Sequence, residues 1–149
     1  MTDTGRVLLT AAILAGSAIG VFAWRVTRLD PAEAERLVGE LRLAQMAAVV
    51  LAAVGAILIG LAASATQVPG AHLDATLGVA FVVAAGFVLR RHPHEALLAA
   101  AIGFLAHALV MLAHRPGLLP PDLLPRWFAI ALATCDVYLA AVCWAARRR

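Results

Sequence analysis

Long apolar runs alternate with short polar gaps along the chain, and the runs are too long for strands. Val7 to Trp24 is the first run, and about Leu43 to Ser64 the second. Ala75 to Leu89, widened to 73–90 by its flanks, is the third; Glu95 to His114 and Trp127 to Ala146 are the fourth and fifth. A helix rises ~1.5 Å per residue, so ~20 apolar residues cross the ~30 Å hydrocarbon core of a bilayer. The pattern predicts an all-α, polytopic transmembrane helical bundle of five spans in a single domain covering 1–149. The first run admits a second reading as a signal peptide, because Val21-Phe22-Ala23 resembles a cleavage site, and the bundle would then have four spans. Its leading tail lacks a strongly positive segment and the run is long for a signal, which favours an uncleaved span.

The gaps set the boundaries. Asp30-Pro31-Ala32-Glu33 reads as a helix start, with Asp as N-cap, Pro at the first position and Glu in the first turn. The charges from Arg25 to Arg42 balance and read as a solvated helical face. Pro69-Gly70 marks a turn. The third span is short and needs His72, Leu73 and Asp74 near the interface to reach bilayer thickness. Pro93 disfavours helix at His92 and opens the fourth helix. The Pro-rich stretch from Arg115 to Arg126 is apolar enough to lie in the headgroup region. Two rows of small residues are candidate packing ridges: Gly16 with Gly20, and Ala52, Ala56 and Gly60.

Composition agrees with a membrane location. Hydrophobic residues make up 63% of the chain, charged residues 14%, and mean hydropathy is +0.90, a balance that leaves too little charge for the surface of a soluble domain. The sequence pI near 9.7 is not a nucleic-acid signature, since the Arg residues sit at span ends. All twelve basic residues are Arg, which with the Ala content suggests a high-GC bacterial source. Nine of them (Arg25, Arg28, Arg36, Arg42, Arg90, Arg91 and Arg147 to Arg149) fall on one side of a five-span arrangement and three (Arg6, Arg115, Arg126) on the other. The positive-inside rule then places the N-terminus outside and the C-terminus in the cytoplasm of a bacterial inner membrane. Trp24, Trp127 and Trp144 fall at span ends, where amphipathic rings prefer to sit. Cys135 and Cys143 are ~12 Å apart on one helix, too far for a disulfide within it.

Two residues are out of place in hydrocarbon: His107 in the fourth span and Asp136 in the fifth. Successive helical residues turn by ~100°. Ala96, Ala100, Gly103, His107 and His114 therefore share one stripe, opposite Leu98, Ile102, Leu105, Leu109 and Leu112. Ala129, Ala133, Asp136, Ala140 and Cys143 share another, with Trp127, Ala131, Tyr138 and Ala145 on the far side. His107 lies ~10 Å and Asp136 ~13 Å from the same membrane face, so neighbouring antiparallel spans bring them together as an intramembrane polar pair. His114, Cys143 and His72 are candidates for further polar lining, and His72 and His114 are placed to meet at the outer surface. The pair has two readings: interhelical glue that fixes register, or a proton relay or polar floor of a small-molecule cavity.

Other chemistry has less to stand on. A haem held by two spans wants two His at matched depth, and only His107 is well inside, so b-type haem stays an alternative and no cofactor is expected. No metal site is expected, because His107 and His114 are spaced seven apart, not at the three or four that chelate one ion on a helix. No nucleophile, hydrolase, P-loop or CxxC motif is present, so no catalytic residue is expected.

His92-Pro93-His94-Glu95, followed by Phe104-Leu105-Ala106-His107-Ala108-Leu109-Val110-Met111 and a later Asp136, resembles a pattern in small bacterial multi-pass membrane proteins of a domain-of-unknown-function type. The resemblance implies a helical membrane protein and no known activity. Phe104 to His114 is also similar to the haem helices of ferric-reductase-type proteins. The expected function is a non-catalytic accessory or oligomeric membrane subunit; the alternatives are a haem-bearing redox subunit and a small transporter or proton relay. The partners expected are the lipid bilayer, a second copy or a membrane complex, and no nucleic acid.

Overall fold

The computed structural model describes residues 3–30, 32–65, 67–114, 119 and 125–148, which form five helices and no strand. They are α1 (Asp3–Val26), α2 (Ala34–Ser64), α3 (Ala71–Leu89), α4 (Pro93–Ala113) and α5 (Arg126–Arg148). By length and composition α2, α3, α4 and α5 are each able to cross a membrane; in α1 the apolar stretch is the shorter Thr10–Val26. The chain thus has the make-up of a helical membrane protein. Its surface agrees: Val49, Val83, Ile102 and Leu109 are 59–68% exposed, a cost in water and none in lipid.

Local chemistry explains the ends of the helices. Gly70 precedes α3 at φ 88°, a left-handed conformation that a Cβ disfavours. Pro93 opens α4, and His92 before it is extended at ψ 145°, as a residue preceding Pro should be. Pro125 stands just before α5, its carbonyl accepting from the N–H groups of Phe128 and Ala129. Helix α3 starts at Ala71, so His72 to Asp74 belong to it and supply the length its apolar run lacks. The Arg115 to Arg126 connection lies mostly outside the described residues.

At the start of α2 the structure departs from expectation. The N-cap is Glu33, not Asp30, and the Glu33 side chain makes no capping bond. Asp30 instead accepts from the Ala32 N–H at 2.9 Å, an Asx turn that holds the connection ahead of the helix. The charged stretch is not wholly solvated either. Arg36 is buried, donating to Glu40 at 3.0 Å and to the Leu29 carbonyl at 3.2 Å, which ties α2 to the turn after α1.

Helices α2 and α3 form one antiparallel hairpin and α4 and α5 another; α4 also lies on α2 and α3, and α1 lies against α5 and α2. Inside a bilayer the lipid is as apolar as the core, so association depends on close packing. Gly55 and Gly78 supply it between α2 and α3: a Cβ on either would stand 2.6–2.7 Å from the other's carbonyl oxygen. Gly103 of α4 receives Leu51 of α2 in the same way. Of the two expected ridges, Gly16 and Gly20 face Tyr138 of α5. Ala52, Ala56 and Gly60 do not form a ridge: Ala56 and Gly60 are exposed, and open space surrounds Gly60. The buried row lies one position away, through Leu51, Val54, Gly55, Leu58 and Ala62.

Candidate functional site: two buried histidine–aspartate pairs

Small residues on two facing helices let α4 and α5 come close. Ala96, Ala100, Gly103, His107 and Met111 are buried on α4, and Ala129, Ala133, Asp136, Ala140 and Cys143 on α5. Ile102, Leu105, Leu109 and Leu112 point out. His107 and Asp136 are 1% and 2% exposed, with Nδ1 2.6 Å from Asp136 Oδ2. A carboxylate only accepts, so Nδ1–H of His107 donates to Oδ2. The Phe81 ring of α3 meets the imidazole edge-on, with centroids 5.0 Å apart.

A second pair lies two turns along the same face of α4. His114, just past the helix end, places Nε2 3.0 Å from Asp74 Oδ1 of α3 and Nδ1 2.9 Å from the Val110 carbonyl. The carbonyl is an acceptor, so Nδ1 carries a proton, and the Nε2–Asp74 contact holds another. Both side chains are 1% exposed. Helix α4 thus supplies two imidazoles, and the helices on either side supply one carboxylate each.

The pairs leave different atoms unpaired. Nε2 of His107 and Oδ2 of Asp74 are buried without a hydrogen-bond partner among the described residues. A buried polar atom in that state carries a desolvation penalty of ~1–3 kcal/mol. His107 lines a narrow crevice with Val54, Ile57, Leu58, Leu61, Met111 and Leu132, whose void is too tight for a water-sized sphere.

The remaining candidates separate. Cys143 is fully buried two turns from Asp136, within the apolar core. His72 is exposed and does not meet His114; Asp74, two residues on, takes that place. Sequence reasoning treated Asp74 only as an interfacial residue. The signal was there in the spacing of Ala71, Asp74, Gly78, Phe81 and Ala85, which are all buried on one face of α3.

No protein-family model matches the chain, and neither a curated protein nor a solved structure matches it. The likeness to small membrane proteins of unknown function therefore stays with the residues that suggested it, and the chemistry must be read from geometry.

That geometry suits some chemistry better than others. A carboxylate on Nδ1 with Nε2 left over is how metal-ligating histidines are often oriented. Here it is one nitrogen only. Among the described residues no three His, Cys, Asp or Glu side chains gather in one place, and Met111 stands on the same helix as His107. Two hydrogen-bonded pairs that each join α4 to a neighbour are a direct means of fixing rotation and depth.

Proposed function

We propose that this protein is a small multi-pass membrane subunit without catalysis of its own, in which the two His–Asp pairs lock α4 to α3 and α5. The rigid core so formed would present its outer faces to lipid, to a second copy or to a membrane complex. The observation that carries this reading is the burial of both pairs: all four side chains are buried, and the crevice that His107 lines among the described residues is too tight for a water-sized sphere. The distribution of Arg supports a bacterial inner membrane with the N-terminus outside and the C-terminus in the cytoplasm.

Reconstitution into liposomes with an internal pH dye tests it. The expected result is a proton leak no greater than that of protein-free vesicles, with Asp136→Asn lowering the yield of folded protein. A second reading, a proton relay or small transporter, is favoured by the unpaired His107 Nε2 and Asp74 Oδ2. Flux that Asp136→Asn abolishes in a folded protein would establish that reading instead. A Soret band in the purified protein would establish the haem alternative, with His107 Nε2 as its first ligand.

A further inference from the structure

A different part of the molecule carries a binding site. Helices α1 and α2 are antiparallel and touch closely at one end, where a Cβ on Gly39 would stand 2.8 Å from a Val26 methyl. Beside that contact the outer side of the seam is grooved. A cleft of about 510 Å³ is lined by Phe22, Arg25, Val38, Glu35, Gly39 and Arg42, among others. A second of about 390 Å³ continues from Arg42 along Ala15, Ile19, Met46, Val49 and Val50, with Gln45 beside Arg42. Polar groups therefore cluster at one end and apolar side chains line the rest. From Arg42 to Val49 the apolar part runs ~10 Å along the helix. Trp24, 57% exposed, marks the polar end as interfacial.

Two of the charges at that end have no partner among the described residues. Arg36 and Arg91 pair with Glu40 and Glu95, while Arg28 and Arg147 stack on Trp24 and Trp144. Arg25 and Arg42 have neither kind of partner among the described residues. With Glu35 the cleft carries two positive charges against one negative. Its occupant must be anionic at the interface and apolar below it.

We propose that the α1–α2 seam binds an anionic phospholipid from the bilayer, its phosphate between Arg25 and Arg42 and an acyl chain along Ile19, Met46 and Val49. A guanidinium presents a planar fork of donors that suits phosphate oxygens. Gln45 adds an amide at the depth of the glycerol esters. The site is independent of the His–Asp pairs.

Native mass spectrometry of the full chain, released from neutral detergent, tests this with dioleoylphosphatidylglycerol against dioleoylphosphatidylcholine. The expected result is selective retention of one phosphatidylglycerol. Arg25→Gln with Arg42→Gln should weaken it roughly twenty-five-fold, about fivefold per guanidinium near a membrane surface. Arg90→Gln with Arg91→Gln, exposed but away from the seam, should leave it unchanged. Ala15→Phe, which fills the apolar groove without touching charge, should also weaken retention, and this arm decides if the arginine variant does not fold. Equal retention of both lipids overturns the proposal. So does an equal loss from both arginine pairs, which means diffuse attraction to charge. Displacement by soluble glycerol phosphate at the same concentration as the lipid means an anion site with no role for the groove, and overturns it as well.

Discussion

The two His–Asp pairs use the same residue types, with both imidazoles in line along α4 and its C-cap, yet they solve different problems. At the outer pair, His114 has both nitrogens engaged, one by Asp74 and one by the Val110 carbonyl, because the helix has ended and leaves that carbonyl available. At the inner pair, His107 sits mid-helix, where backbone carbonyls already accept from the next turn. Asp136 engages one nitrogen and the other is left over. The unpaired atom of the outer pair is a carboxylate oxygen near a helix end; that of the inner pair is a ring nitrogen walled by Val54, Leu58, Met111 and other apolar side chains. Depth and backbone availability, not residue type, decide how completely each pair is satisfied.

The comparison can be broken most severely from a distance. Gly78→Leu would drive a side chain into the Gly55 carbonyl and Ile59, forcing α3 away and taking Asp74 with it. A loss of about 3 kcal/mol is expected from overpacking against backbone. Unfolding in bicelles should show that loss, and imidazole nitrogen NMR should show His114 cut off from Asp74, while His107 loses only its Phe81 ring contact and keeps its bond to Asp136. Asp136→Leu comes next, at about 2 kcal/mol, because it strands His107 with no partner on either nitrogen. Asp74→Leu should cost less, ~1 kcal/mol, since His114 keeps its carbonyl partner. An equal cost for the two would remove the distinction between the pairs. His72→Ala should fall within about 0.5 kcal/mol, as an exposed side chain away from both pairs.

Much of this was legible in the sequence, for a physical reason. Span four sets a row of small residues opposite a row of Leu and Ile, and span five carries a row of small residues through Asp136, so a helical wheel turns His107 and Asp136 inward. The third span offered no such contrast: Val and Ala occupy both faces, so only Gly78 and Asp74 marked the buried side. Asp74 also stands near the end of its span, where a carboxylate is unremarkable, and its partner comes from a helix forty residues on. The ridge on α2 was misplaced by one position because that helix carries small residues on every side; contact with Gly78, a property of another helix, selects Gly55. The N-cap moved because Asp30 bonds within the turn instead of closing the helix.

The most direct measurement is a double-mutant cycle on His107 and Asp136, with Leu at each position and stability read from unfolding in bicelles. If the pair locks α4 to α5, each single change destabilises, the double change costs less than the sum, and the coupling is ~0.6–1.7 kcal/mol. Two harmless single changes with no coupling would mean that the helices hold their places without the pair, and the structural account of it would fall.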